Sequence, residues 1–284
     1  MTLPRIALVT CDPMPEPDPD EGLLENAIRE AGGEPVSVGW RSDFDWSSVA
    51  LAVPRTTWDY YRHHDEFLAW AERVDAATTL LNPLSVIRAN TDKRYLATLE
   101  RAGVPVVPTA VVEPGDPIDL GALLEERGWD EVVLKPTVGA ASHRARRASR
   151  SDLTDEHLAN LARDGGALVQ PLMSGVVEPG EHSCVHIDGE LSHVIRKQPR
   201  LEGDHESVSE HAIPLPDGAA DTVAQALATI DEPLLYGRVD VVRADDGTWV
   251  VMELELTEPS LFLKQHPPAI GRLAEAMVRE ARRT

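Results

Sequence analysis

The apolar positions of this chain change period at about residue 82, and the change separates two architectures. Before it, short Val/Leu/Ile runs alternate with amphipathic stretches. Arg5 to Cys11, Pro35 to Trp40, Val49 to Pro54 and Thr79 to Leu81 read as strands, and Gly22 to Ala31 and Asp65 to Ala76 as helices. A Pro/Asp-rich loop at 12 to 20 precedes the first helix, and Gly32-Gly33 ends it. Strands alternating with helices predict a small parallel sheet, and such sheets take ligands outside the carboxyl ends of their strands. The segment Arg55-Thr56-Thr57-Trp58-Asp59-Tyr60-Tyr61 therefore lies where a ligand would sit. Trp58, Asp59 and Tyr60 are expected to shape a substrate pocket there, the alternative being that Trp58 and Tyr60 pack an interface between the first domain and the rest.

After residue 82 the pattern is mixed. Helices are expected over Lys93 to Arg101, Leu120 to Arg127, Leu153 to Arg163, 219 to 229 and Ala269 to Arg283. Strands are expected at Val106 to Val112, interrupted by Pro108, at Glu131 to Lys135 and at Ala167 to Leu172. Ser183 to Ile187 and Leu191 to Ile195 form a hairpin about Asp188-Gly189. Arg144 to Arg150 is a basic stretch, and Arg200 to Gly218 reads as a polar loop. The fold class is thus α/β at the front and α+β behind, with boundaries expected at 88/89 and 175/176.

Residues 236 to 260 carry the most chemistry. Asp246-Gly247 is a two-residue turn signal between two Val-rich runs. That turn sets Asp240 opposite Glu253 and Arg238 opposite Glu255, and the two-residue strand period puts all four on one face. Val239, Val241, Met252 and Leu254 fall on the other, core-facing side. Opposed like charges destabilise a sheet, so Asp240 against Glu253 calls for a divalent cation, or else marks an acidic, solvated surface.

Charge and composition narrow the function. A formal net charge of −21 argues against nucleic acid or an anionic membrane as partner. Cys11 and Cys184 lie far apart in strand-like contexts, which suggests reduced thiols and a cytoplasmic protein. Neither a secretory leader nor a membrane-spanning run of about 20 apolar residues is expected. Of 27 basic residues only four are lysines, at 93, 135, 197 and 264. A compact ammonium suits phosphate oxygens, so lysines retained in an Arg-writing sequence are candidates for phosphate contact.

The acidic hairpin, standing behind Val133-Leu134-Lys135-Pro136 and Val169-Gln170-Pro171-Leu172, resembles the ATP-grasp ligases. Arg238-Val239-Asp240 and Glu253-Leu254-Glu255 match that family's two late motifs, with Glu255 in place of the usual Asn. Arg55 to Tyr60 and Val251 to Leu263 look most like the branch that includes the cyclo-ligase of D-cycloserine biosynthesis. The resemblance covers nearly the whole chain. It implies an ATP-grasp fold with an N-terminal substrate-side domain (1–88), a lid-type subdomain (89–175) and a C-terminal subdomain with the metal hairpin (176–284).

It also implies Mg²⁺ (or Mn²⁺) on Asp240, Glu253 and Glu255, and ATP phosphates on Lys93 and Lys135. The small-residue loop Thr137 to Ser142 would let backbone N–H groups approach phosphate. Gln170, Leu172, Met173, Glu178 and Glu181 would face the nucleoside, and Arg238 the developing charge. The expected reaction activates a small-molecule carboxylate as an acyl phosphate and couples it to an amine. Intramolecular ring closure and a non-catalytic nucleotide-binding protein are the alternatives, and a homodimer is left open. Substrate contacts are expected from Arg55, Trp58, Asp59, Tyr60, Lys197 and Ser260. The run His205 to His211 lacks the aromatic and Arg that relatives carry, and Arg196, Lys197, Arg200 and Arg55 are the candidates to replace the cation for a substrate carboxylate. His205 and His211 are candidate bases.

Overall fold

A computed structural model describes residues 2–15, 17–140, 142–153, 155–198 and 207–283. Its first 80 residues follow the expected alternation. Strands β1 (Arg5–Thr10), β2 (Glu34–Gly39) and β3 (Leu51–Thr56) and the short β4 (Thr79–Leu80) form an all-parallel sheet in the order β2-β1-β3-β4. Helix α1 (Glu21–Glu30) buries Leu24 and Ile28 on one face of it. Helix α2 (His64–Ala77) buries Phe67, Trp70, Ala71 and Val74 on the other. Coverage on both faces is why these strands read as continuous apolar runs.

Two helices follow: α3 (Leu84–Asn90), which the sequence pattern did not mark, and α4 (Tyr95–Arg101), which begins two residues later than expected. Lys93 consequently sits in the turn before α4. Of the expected strand Val106 to Val112 only β5 (Ala110–Val112) forms in the ladder, while Val106 makes an isolated parallel bridge to Val251. After α5 (Leu120–Arg127) come β6 (Glu131–Pro136) and β7 (Arg146–Ser149), then α6 (Asp155–Arg163) and β8 (Ala167–Pro171). The order β5-β8-β6-β7 is antiparallel throughout. The basic stretch is therefore partly strand β7; as an edge strand it exposes Arg146 and Arg147, which blunts edge-to-edge pairing and hides its strand character from a hydrophobicity count.

The third sheet is antiparallel in the order β11-β10-β9-β12-β13, from β9 (Glu181–Ile187), β10 (Glu190–Gln198), β11 (Ser207–Val208), β12 (Tyr236–Arg243) and β13 (Trp249–Glu255). Helix α7 (Ala220–Leu227) packs on β12 and β13, and α8 (Pro268–Ala281) closes the chain. Helix α8 joins two sheets: Leu273, Met277 and Val278 share one core with Ile6, Leu8 and Ile28 of the parallel sheet and with Val185, Ile187 and Tyr236 of the last. The β5–β8 sheet keeps a core of its own around Leu120, Leu134 and Leu158.

The acidic hairpin is built differently from the expectation. Ala244 N–H bonds to Thr248 O at 2.8 Å and Gly247 N–H to Ala244 O at 2.9 Å, so the loop holds three residues, Asp245-Asp246-Gly247, with Gly247 at φ +88°. A three-residue loop shifts the register by one, and Val241 faces Val251. A bulge at Met252 then shifts it back, so Asp240 does face Glu253 and Arg238 faces Glu255. The bulge corrects the core assignment. Val251, not Met252, joins Val239, Val241 and Leu254, whereas Met252 packs with Val107, Val176, Val242 and Val250.

Candidate active site

The central β9–β12–β13 face and two outlying lysines make one charged cluster. Arg238 donates to Asp240 through Nε and Nη2, both at 2.8 Å, and its Nη2 also bonds Glu255. Lys197, paired across the ladder with Glu181, reaches Glu181 at 2.6 Å and Asp240 at 3.0 Å. Lys135, near the end of β6, meets Glu253 at 2.9 Å, and Lys93 approaches the same carboxylate at 3.5 Å. The β5–β8 sheet and the turn before α4 thus converge on one glutamate of the hairpin.

The electrostatics follow from burial and pairing. Burial disfavours ionisation of Asp240, yet Arg238 and Lys197 outweigh it and hold its carboxyl below the usual carboxylate range. Glu253 behaves likewise, with Lys135 and Lys93 prevailing over burial. Burial wins at Glu181, pushed up to about 7 despite Lys197. Glu258 is pushed up to about 8, by burial and then by the neighbouring Glu255. It makes no ion pair among the described residues. Sequence reading passed it over, although it stands three residues beyond Glu255 in the same acidic run.

The donor chemistry at Glu253 and Glu255 fits a hard divalent cation, since both are carboxylates whose side chains remain 21% and 26% exposed. Among the described residues, however, no three His, Cys, Asp or Glu side chains stand in a metal-holding group. Asp240 is fully buried, with both oxygens committed to Arg238 and Lys197.

The segment beyond the hairpin is fastened backbone atom by backbone atom. Asn90 bonds Leu254 O and Leu256 N–H, and Asn82 bonds Leu256 O, Tyr236 O and Leu235 N–H. Trp58 Nε1 donates to Glu258 O at 3.2 Å, Arg55 to Pro259 O at 3.4 Å, and Arg238 to Ser260 O at 3.0 Å. Asp20 accepts the N–H groups of Leu263 and Lys264, both at 2.9 Å. Phe262, left-handed at φ +51°, lies under Arg238 with its ring centroid 5.6 Å from the guanidinium carbon.

Other expected residues separate. Asp59 accepts from Trp40 Nε1 at 2.7 Å, and Tyr60 is buried against Phe67 at 5.3 Å. Both serve packing of the parallel-sheet domain more than a pocket wall. Gln170 is buried with its amide on Thr109 Oγ1 at 2.8 Å, and Leu172 N–H pairs with Glu131 O. Met173 packs beside Met252 on the Val107/Val176 cluster, forming an apolar surface between the two antiparallel sheets. Glu178 is exposed, whereas Glu181 joins the charged cluster. Arg196 and His211 are exposed as well. Arg200 and His205 lie outside the described residues.

Residues 6–82 match the model of the N-terminal domain of D-cycloserine synthetase DcsG. The chain is 36% identical over 294 residues to the cycloserine biosynthesis protein DcsG of Streptomyces lavendulae, covering 96% of this chain and 97% of that protein. It superposes on a crystal structure of D-cycloserine synthetase DcsG with TM-score 0.89 at 34% identity, over 98% and 99% of the two chains. It also superposes on the ATP-grasp ligase PsnB, solved with a phosphomimetic variant of its minimal precursor, Mg and ADP. There the TM-score is 0.67 at 20% identity, over 97% and 98% of the chains, a likeness of fold.

Proposed function

This chain belongs to the D-cycloserine synthetase DcsG family and is an ATP-dependent ligase of the ATP-grasp fold, and from that premise we propose that it uses Mg²⁺-ATP to activate a small-molecule carboxylate as an acyl phosphate and couple it to an amine. ADP and phosphate would leave. The observation that carries the reading is the convergence of Lys135 and Lys93, from outside the last sheet, on Glu253. Buried cations arranged around a cation-binding carboxylate are what a metal-bridged polyphosphate requires.

When bound, Mg²⁺-ATP would supply the phosphoryl group and the metal's neutralising charge. Glu253 and Glu255 would hold the metal, and Lys93 and Lys135, both turned toward Glu253, would hold the phosphate oxygens. Asp240, expected as a third ligand, in this arrangement orients Arg238, whose guanidinium stabilises the developing oxyanion. Met173 would lay its thioether side chain against the face of the base, with Leu172 backbone, Gln170 and Glu181 at its edge, and Glu178 at the rim. Trp58, Asp59, Tyr60, Lys197 and Ser260 act on substrate chiefly by positioning. In this reading residues 1–88 form the substrate-side domain, 89–175 the lid and 176–284 the metal-holding part.

A cytoplasmic location belongs to this reading; among the described residues no helix is long and apolar enough to cross a membrane. Full-length similarity to a cycloserine biosynthesis protein favours, as a second reading, intramolecular closure of one substrate bearing both groups. Calorimetric titration with ADP is the test: micromolar binding that requires Mg²⁺ is expected, and Glu253→Gln should weaken it at least tenfold. Binding indifferent to Mg²⁺, or to the substitution, would overturn the metal assignment.

A further inference from the structure

Two arginines at similar depth carry opposite electrostatic states. Arg238, 5% exposed, has its charge met by Asp240 and Glu255. Arg55, 4% exposed, makes no ion pair among the described residues, and its Nε–H has no acceptor. Its contacts are a long bond to Pro259 O at 3.4 Å and the face of Tyr236, whose ring centroid lies 5.2 Å from the guanidinium carbon. Asp18 feels its charge from across the crevice but makes no ion pair with it, and a buried cation without a carboxylate in contact is costly unless something else supplies one.

Arg55 also stands where an open parallel sheet takes a ligand. In the order β2-β1-β3-β4 the chain reverses direction of travel between β1 and β3, and the crevice at such a switch point opens at the strands' carboxyl ends. Here those ends are Thr10 and Thr56, which line a narrow crevice with Arg55, Asp18, Glu21 and Ser37. Of the crevice's own carboxylates, Asp18 accepts Asp20 N–H at 3.0 Å and interacts with Arg55 at longer range, and Glu21 accepts the Ser37 hydroxyl at 2.6 Å. Thr57 and Thr257, from the two segments that meet at Tyr236, bury hydroxyls that likewise lack partners. Of the other cations considered for a carboxylate, Lys197 is committed to Glu181 and Asp240, and Arg196 is exposed.

Position links this cation to the reaction centre. Arg55 and Arg238 hold the consecutive carbonyls of Pro259 and Ser260, so one short segment ties the two guanidinium groups together.

We propose that Arg55 is the anchor for a second, non-reacting carboxylate of the substrate, which then reaches from the β1/β3 crevice to Arg238 and the hairpin. The substrate class is a small molecule bearing a carboxylate besides the one that is activated. The proposal rests on the ligase reading, and two measurements separate them. ADP binding with Mg²⁺ is first measured by calorimetry in wild type and Arg55→Met. Retention in both shows fold and nucleotide site intact, and its absence in wild type would overturn the ligase reading.

The arginine Nε–H signal that disappears from the ¹⁵N spectrum of Arg55→Met is then followed in wild type with Mg²⁺-ADP present. Succinate, glutarate and glutamate are the probes, with dimethyl succinate as the uncharged control. At least one diacid should move that signal saturably at millimolar concentration, with the diester at least tenfold weaker. No movement with any of the three while Mg²⁺-ADP still binds, or equal movement with the diester, overturns the proposal.

Discussion

Glu258 shows how a single side chain sets a pH response. Its carboxyl, pushed up to about 8, keeps its proton in the folded protein at pH values where the unfolded chain, near 4.5, has lost it. The folded state therefore binds more protons between those values, and stability falls as pH rises through them. Glu181, raised to about 7, adds to the same slope. Asp240 and Glu253, both lowered, act oppositely and only in acid. The ligand-free protein should lose melting temperature between about pH 5 and 8, and Glu258→Gln should flatten that decline in scanning calorimetry. An unchanged slope in the variant would place the titration elsewhere. None of this was legible in the sequence, because burial, the larger cause of the shift at Glu258, is set by elements from distant parts of the chain that pack around it. The retained lysines were legible: three of the four, Lys93, Lys135 and Lys197, lie in the cluster.

At the scale of elements, the short turn at Ser174–Val176 between the two antiparallel sheets is seated on the end of β12. Ser174 bonds Asp245, and a Cβ on Gly175 would lie 2.0 Å from the Arg243 carbonyl oxygen. Strand backbone cannot yield that space cheaply, so Gly175→Ala should destabilise by about 1–3 kcal/mol and weaken ADP binding through the adjacent Met173. Thermal denaturation beside ADP titration checks both. A variant as stable as wild type would mean the turn lifts from β12 without cost.

Element positions were readable where one period persisted, as in β1 to β3 and α8. They were missed where charge masked the pattern, as in β7, or where a helix spans only seven residues, as in α3. Asp20, Asn82 and Asn90 were invisible for a different reason. A side chain that caps a distant backbone leaves no local signature, and these three hold the site's floor.

In the whole molecule, α8 makes the parallel sheet and the last sheet parts of one core, while the β5–β8 sheet keeps its own. A boundary at residue 88, sensible from the change of period, cuts through that shared core. A fragment of residues 1–88 would expose Ile6, Leu8, Leu24 and Ile28, and we expect no cooperative unfolding transition by circular dichroism. A cooperative melt of the fragment would show that α8 is dispensable to it. Motion that admits nucleotide is accordingly expected of the β5–β8 sheet, the unit not bound into the common core.

The three-residue turn and the Met252 bulge displace the hairpin register in opposite senses and cancel before the carboxylates are reached. In genetic terms the two sites are nonetheless independent. Deleting one residue at 245–247 leaves Ala244 and Thr248 as the flanking pair, and removing Met252 leaves a regular ladder in which Val241 still faces Val251 and Asp240 still faces Glu253. Either deletion should leave Arg238, Asp240, Glu253 and Glu255 facing as they do now, so lengths at these two places are expected to change separately among descendants of this sequence.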